Sequence, residues 1–245
     1  MEDLSFLVPV LLVALICAFA RIMNGITARI CKSRISLAIL RSPGIIFHEF
    51  SHAAACILTG ADIREIVWYN PEDGSGKVVH GAPRIPVLGN FIISVAPFFG
   101  ILLLFLALGD IFSSFAGVTT DQQVNLTILP EGIFALIGSS LQIFLQNIVY
   151  SPNPWFILYL YLIISILPGL SPSVPDLWNL DVGIVIIGFI ALLGLILYFQ
   201  GTWFADLAAA IQSPILPVLT SVLLAEILAL AVMVPVYTIC RYARN

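Results

Sequence analysis

His48-Glu49-Phe50-Ser51-His52 is an H-E-x-x-H pattern. Residues four apart on an α-helix lie one above the other, so both imidazoles can reach a single Zn²⁺. Glu49, turned about 100° from His48, can then reach water at that ion and act as a base. The chemistry such a set supports is metal-assisted hydrolysis. Two of the chain's three histidines and one of its six glutamates fall within these five residues. They also interrupt an otherwise apolar stretch, where an unpaired polar group is costly. A bound cation removes most of that cost. The plain alternative, polar glue between helices, needs neither this spacing nor a glutamate beside the first histidine.

Catalytic zinc normally takes three protein ligands and leaves a position for water. Three residues could complete the set. His80 lies on a polar segment beside Gly81 and reads as solvent-facing. Glu226 sits near the middle of the last apolar stretch, where it reads either as a gate or as a carboxyl group hydrogen-bonded inside the bundle. Asp176 ends the proline-broken stretch Leu167-Pro168-Gly169-Leu170-Ser171-Pro172-Ser173-Val174-Pro175-Asp176. Non-helical backbone at membrane depth survives only where it lines a cavity or is packed in protein, which would favour a carboxylate meeting the histidines.

The elements that must position these residues are membrane helices. Of 245 residues 60% are hydrophobic and 10% charged, with a mean hydropathy of +1.07; a water-soluble domain carries about 25% charged residues. The solvent is therefore a bilayer, and disorder is excluded by the same hydrophobicity. A net charge of −4 offers no basic surface for nucleic acid. Cys17, Cys31, Cys56 and Cys240 form no CxxC pair and read as packing residues.

Leu4–Ala20 reads as a first span, retained because Glu2 and Asp3 precede it where a signal peptide wants positive charge. A basic block follows at 21–41. Ser42 and Pro43 signal the start of the histidine helix and Gly60 its stop, which puts His48 about 8 Å from the helix start. Ile63–Tyr69 and Lys77–Gly81 read as two short strands about a turn-rich connector. Ile85–Gly109 is a further span, and 110–131 a polar loop. Gly132–Pro175 carries no charge and is broken at Ser151–Pro154 and again from Pro168. Val182–Phe199 and Pro214–Tyr237 supply the last spans; Trp203 and Asp206 read as interfacial. The expected fold is an all-α polytopic bundle of about six to seven transmembrane helices, with a short β-hairpin after the second helix. It forms one integral-membrane domain, 1–245. Basic residues at 21–41 and at Arg241 and Arg244 favour seven crossings with the hairpin outside.

These motifs resemble the site-2-protease family of intramembrane zinc metalloproteases. His48, Glu49 and His52 match that family's H-E-x-x-H in full. Leu167-Pro168, Pro172, Pro175 and Asp176 look like its proline-rich break ending in Leu-Asp-Gly, whose aspartate is the third zinc ligand. Leu177 stands where the family has Gly, Ser165 where asparagine is typical, and the break is longer than usual. Ser94-Val95-Ala96-Pro97 and the short strands are also similar. The resemblance spans about 36–199 and leaves out the span at about 214–238. It implies a zinc endopeptidase in which His48, His52 and Asp176 hold Zn²⁺ and Glu49 is the general base. Its partners would be transmembrane or membrane-anchored protein substrates and the bilayer, with no nucleic acid and an open oligomeric state. The expected place is the cell membrane. Two other classes compete: a zinc hydrolase of a lipid-like substrate, and a divalent-metal transporter. Transport would spread polar residues along the bundle, whereas here they concentrate at one level.

Overall fold

An apolar run with proline in its first turn favours a helix, and Pro9 opens α1 (Val8–Ile30) in this way. The structure, a computed structural model, describes residues 8–31, 33–116, 138, 142, 145–173, 175–176 and 202–242. Helix α1 continues past Ala20, where the first span was expected to end, and so takes Arg21 and Arg29 onto a helix rather than a loop. Nothing in that segment breaks a helix, and Met23 and Thr27 are buried on it.

Helix α2 (Arg34–Thr59) begins nine residues earlier than Ser42 and Pro43 suggest. Ser33 is its cap, accepting a hydrogen bond from the Ser36 amide at 3.0 Å, and Pro43 lies inside the helix. An interior proline leaves the carbonyl four residues back without a helix partner. Here that carbonyl is Ile39, and the Tyr161 hydroxyl donates to it at 2.7 Å. A tertiary hydrogen bond thus replaces the missing one, which is why proline does not end the helix. His48 consequently stands about 21 Å from the helix start rather than 8 Å. Gly60 ends α2 as expected, with φ of 69° in the left-handed region that suits glycine.

Strands β1 (Ile63–Asn70) and β2 (Ser75–His80) form an antiparallel hairpin, pairing Ile66 with Val78 and Val67 with Lys77. Its turn is pinned by Asp73, which accepts from the Ser75 hydroxyl at 2.7 Å and its amide at 3.0 Å. These bonds hold the Asp73 carboxyl below the usual carboxylate range. The second strand starts two residues before Lys77, so Gly76 belongs to it.

Helix α3 (Pro86–Ala116) runs beyond Gly109 and includes the first residues of the expected polar loop. The cause is local: Phe112 is buried against Phe156 and Tyr159. After a π-helical turn, Gln146–Tyr150, helix α4 (Pro154–Ile166) is capped by Asn153. It ends at the proline break in a 3₁₀ turn, Leu167–Leu170. Helix α5 (Thr202–Tyr242) starts well before Pro214 and keeps Pro214, Pro217 and Pro235 inside it. Trp203 and Asp206 lie in its first turns. The expected span Val182–Phe199 lies outside the described residues.

Helix α1 packs along α5, and Ile16, Ala20 and Met23 join Val222, Ala229 and Met233 in one core. The 3₁₀ turn is inserted into that core through Leu167 and Leu170. Helices α2 and α3 approach closely at Gly100, where a Cβ would overlap the Ser51 side chain. Among the described residues three helices are long and apolar enough to cross a membrane: Val8–Ile30, Pro86–Phe112 and Ser213–Tyr242. The molecule is mostly helical, with the hairpin directly after its second helix.

Candidate metal centre

The break after α4 turns three successive carbonyls towards other elements, the first of which, Pro168 O, also accepts from the Ser171 amide at 3.2 Å. Each meets a side chain from another element. Asn24 of α1 donates to Pro168 O at 2.8 Å. His48 Nδ1 donates to Gly169 O at 2.7 Å. The Cys17 thiol points at Leu170 O at 3.8 Å. Gly44 makes the approach possible, since a Cβ there would run into the Ser165 carbonyl. The 3₁₀ turn is therefore held at one height against α2, level with the first histidine.

His52 is aimed by the same device on α3. Pro97 has no amide hydrogen, so the carbonyl of Ile93, four residues back, has no helix donor. His52 Nδ1 donates to Ile93 O at 2.8 Å. A carbonyl can only accept, so Nδ1 carries the hydrogen in both rings and both Nε2 atoms present lone pairs. Those two Nε2 atoms lie 3.2 Å apart. Asp176 Oδ1 is 3.2 Å from His52 Nε2, and Oδ2 is 3.5 Å from His48 Nε2. Oδ2 also accepts from the Ser173 amide at 2.8 Å and its hydroxyl at 2.5 Å. Oδ1 is thus the oxygen left for another partner.

Three bases converge with no hydrogen between the two nitrogens, an arrangement that repels itself unless a cation lies among them. The distances agree with that reading. Bonds of about 2.0–2.1 Å in a tetrahedral set put neighbouring ligand atoms about 3.3–3.4 Å apart. All three residues are buried, and their ligand atoms lie within 4.8 Å of one another. The donor set fits a divalent cation.

Of the three residues the sequence offers as third ligand, the structure brings Asp176 to the histidines. His80 closes β2 with its Nδ1 on Gly81 O at 2.8 Å and stays outside the cluster. Glu226 is completely buried on α5 and also stays outside it. Among the described residues its two oxygens have no hydrogen-bond partner.

Glu49 is buried beside His48 and lines a cavity of about 230 Å³. One wall is the hairpin, through Gly74, Ser75 and Gly76; another is the broken segment, through Gly169, Ser171 and Ser173. The backbone of Gly76 lies directly against Glu49: a Cβ built there would fall 2.9 Å from Oε1. Asn24 and Arg41 also line the cavity. Sequence reasoning missed Gly76, Ser173, Asn24 and Arg41. A signal existed for Arg41 alone, which shares a helix face with Ile45, His48 and His52 through steps of three and four. The Tyr69 hydroxyl is buried near Arg41 with no hydrogen-bond partner among the described residues, and burial pushes its pKa up, so it stays a neutral phenol.

Comparison with known proteins adds one positive finding. Residues 11–109 match the family model described as Peptidase M50B-like. No curated protein and no solved structure matches the chain. The matched stretch holds α1, α2, the hairpin and most of α3, and so both histidines and Glu49; Asp176 lies beyond it. The part of the chain that supplies the H-E-x-x-H helix is therefore similar to the Peptidase M50B-like family, over less than half of the chain's length.

Proposed function

We propose that this protein is a zinc-dependent intramembrane endopeptidase that hydrolyses peptide bonds in or near transmembrane segments. The observation that carries the reading is the convergence of His48, His52 and Asp176, with His48 and Glu49 lining a cavity that the hairpin borders. His48 and His52 would hold the ion through Nε2 and Asp176 through Oδ1. A zinc ion in that set supplies Lewis-acid polarisation of the scissile carbonyl and lowers the pKa of water towards about 7.

The chain's own groups do the rest. Glu49 takes a proton from the attacking water and returns it to the departing amine, base first and acid second. Gly76 leaves room for that carboxylate because it has no side chain. Ser75, Ser171 and Ser173 line the cavity and give water a polar route into an apolar body. A peptide bond inside a helix is hydrogen-bonded and shielded, so a transmembrane substrate must first unwind. Strand β2 pairs with β1 on one side. Its second edge can accept the unwound segment as an added strand.

The test compares metal content and cleavage of a transmembrane reporter by the purified, detergent-solubilised chain and two variants. Glu49→Gln is expected to keep zinc and lose cleavage by about 10²–10⁴-fold. Asp176→Ala is expected to lose both. Full cleavage by Asp176→Ala would return the third-ligand role to Glu226 or His80, and metal-free activity would end the reading.

A further inference from the structure

The cavity that Glu49 lines also holds a cation with no counter-charge among the described residues. Arg41 lines the cavity, yet among the described residues it forms no ion pair. One arm is tethered: Nη2 donates to Asn24 Oδ1 at 3.2 Å, and Asn24 in turn donates to Pro168 O. Its Nε is buried and has no hydrogen-bond partner among the described residues. The nearest phenol, Tyr69, is neutral. A half-buried guanidinium held in place, with its Nε covered and short of an acceptor, is costly unless something else supplies one.

We infer that Arg41 is a specificity-determining residue that binds the carboxylate of an acidic side chain in the substrate, two or three residues from the cut bond. The inference rests on the endopeptidase reading. Two distances on the protein set the spacing. Arg41 precedes His48 by seven residues, or about 10.5 Å along α2, which an extended chain covers in about three residues at about 3.3 Å each. In the hairpin, Gly76 of β2 lies against Glu49 and Gly74, in the turn before that strand, lies near Arg41, a separation of two residues. A guanidinium fork matches a carboxylate in two parallel hydrogen bonds, which an amide cannot reproduce. Glu49 does not compete for this role, because no ion pair joins it to Arg41.

The test uses the full zinc-loaded chain and single-span reporters that carry Glu, Gln or Lys at each position two to four residues on either side of the cut bond. At one position kcat/KM for Glu is expected to exceed that for Gln by about tenfold, with the change in KM. Arg41→Gln should erase that ratio and Arg41→Lys restore part of it. An equal rate for all three side chains at every position overturns the inference, as does a ratio that survives Arg41→Gln. Because the first comparison varies only the substrate, it stands even if the variants fold poorly. Binding of fluorescent acidic and amide peptides to Glu49→Gln reads the same preference without turnover. A protein that cuts no reporter would thus end the endopeptidase reading while peptide binding still decides the role of Arg41. Neutral reporters in phosphatidylglycerol or phosphatidylcholine vesicles form the last arm. A headgroup effect that needs Arg41, with no preference among the Glu, Gln and Lys reporters, would assign the guanidinium to lipid phosphate and overturn the inference.

Discussion

An imidazole ligand has two nitrogens, and the one turned away from the metal decides how the ring is aimed. Both histidines here spend that nitrogen on a carbonyl that has lost its helix partner. For His52 the cause is a single proline, Pro97, acting through Ile93. Pro97→Ala restores an amide hydrogen that competes with His52 for the Ile93 carbonyl. It should weaken metal affinity by about 10–100-fold while leaving the helix intact; a metal-binding titration with circular dichroism checks both. Ser173 plays the corresponding part for the carboxylate, and Ser173→Ala should lower metal affinity within the same range, read by the same titration. Gly76→Ala places a methyl group where Glu49 now sits. Cleavage should fall with metal content unchanged, which separates displacement of the base from loss of the site.

At the scale of elements, prolines inside helices leave carbonyls for other elements to fill. Pro43 leaves Ile39 to Tyr161, which ties α4 to α2; the break at Pro168 offers carbonyls to α1 and α2. These ties set the height of the 3₁₀ turn against the histidines. Gly44 is the contact that permits it. Gly44→Val should cost about 1–3 kcal/mol or more by overpacking, seen as a lower melting temperature, and should lower zinc content because the turn can no longer reach His48. The hairpin is the element that the proposed mechanism asks to meet the substrate. Proline placed on the outer edge of β2 removes a donor without touching a ligand, so cleavage should drop at constant zinc content. Equal cleavage would reduce the hairpin to a cover over the bundle.

Over the whole molecule the cluster joins α2 to a segment more than a hundred residues away in the chain. An ion held by both would stabilise the folded state in proportion to the logarithm of its concentration over Kd, by about 4 kcal/mol at a thousandfold excess. Chelation should therefore lower the melting temperature as well as stop cleavage, and Asp176→Ala should lose the stabilisation by added zinc. The long apolar helices α1, α3 and α5 supply the body in which this linkage is held, with α1 and α5 packed along each other.

The sequence alone determined the solvent, the helix carrying both histidines, the Gly60 stop, the hairpin and the break at Pro168. Each follows from composition or from spacing within a few residues, where local sterics and hydrogen bonding decide. It also narrowed the third position to three residues, and it misplaced the start of α2 because Pro43 reads locally as a helix opening. Tertiary structure alone decided that Pro43 stays helical, since the bond that replaces its missing one comes from Tyr161 on another helix. It alone brought Asp176 rather than Glu226 or His80 to the histidines, and put Gly76 and Arg41 on the walls of one cavity. Those outcomes depend on which carbonyls, glycines and side chains meet across elements distant in the chain, and no local pattern of residues encodes such meetings.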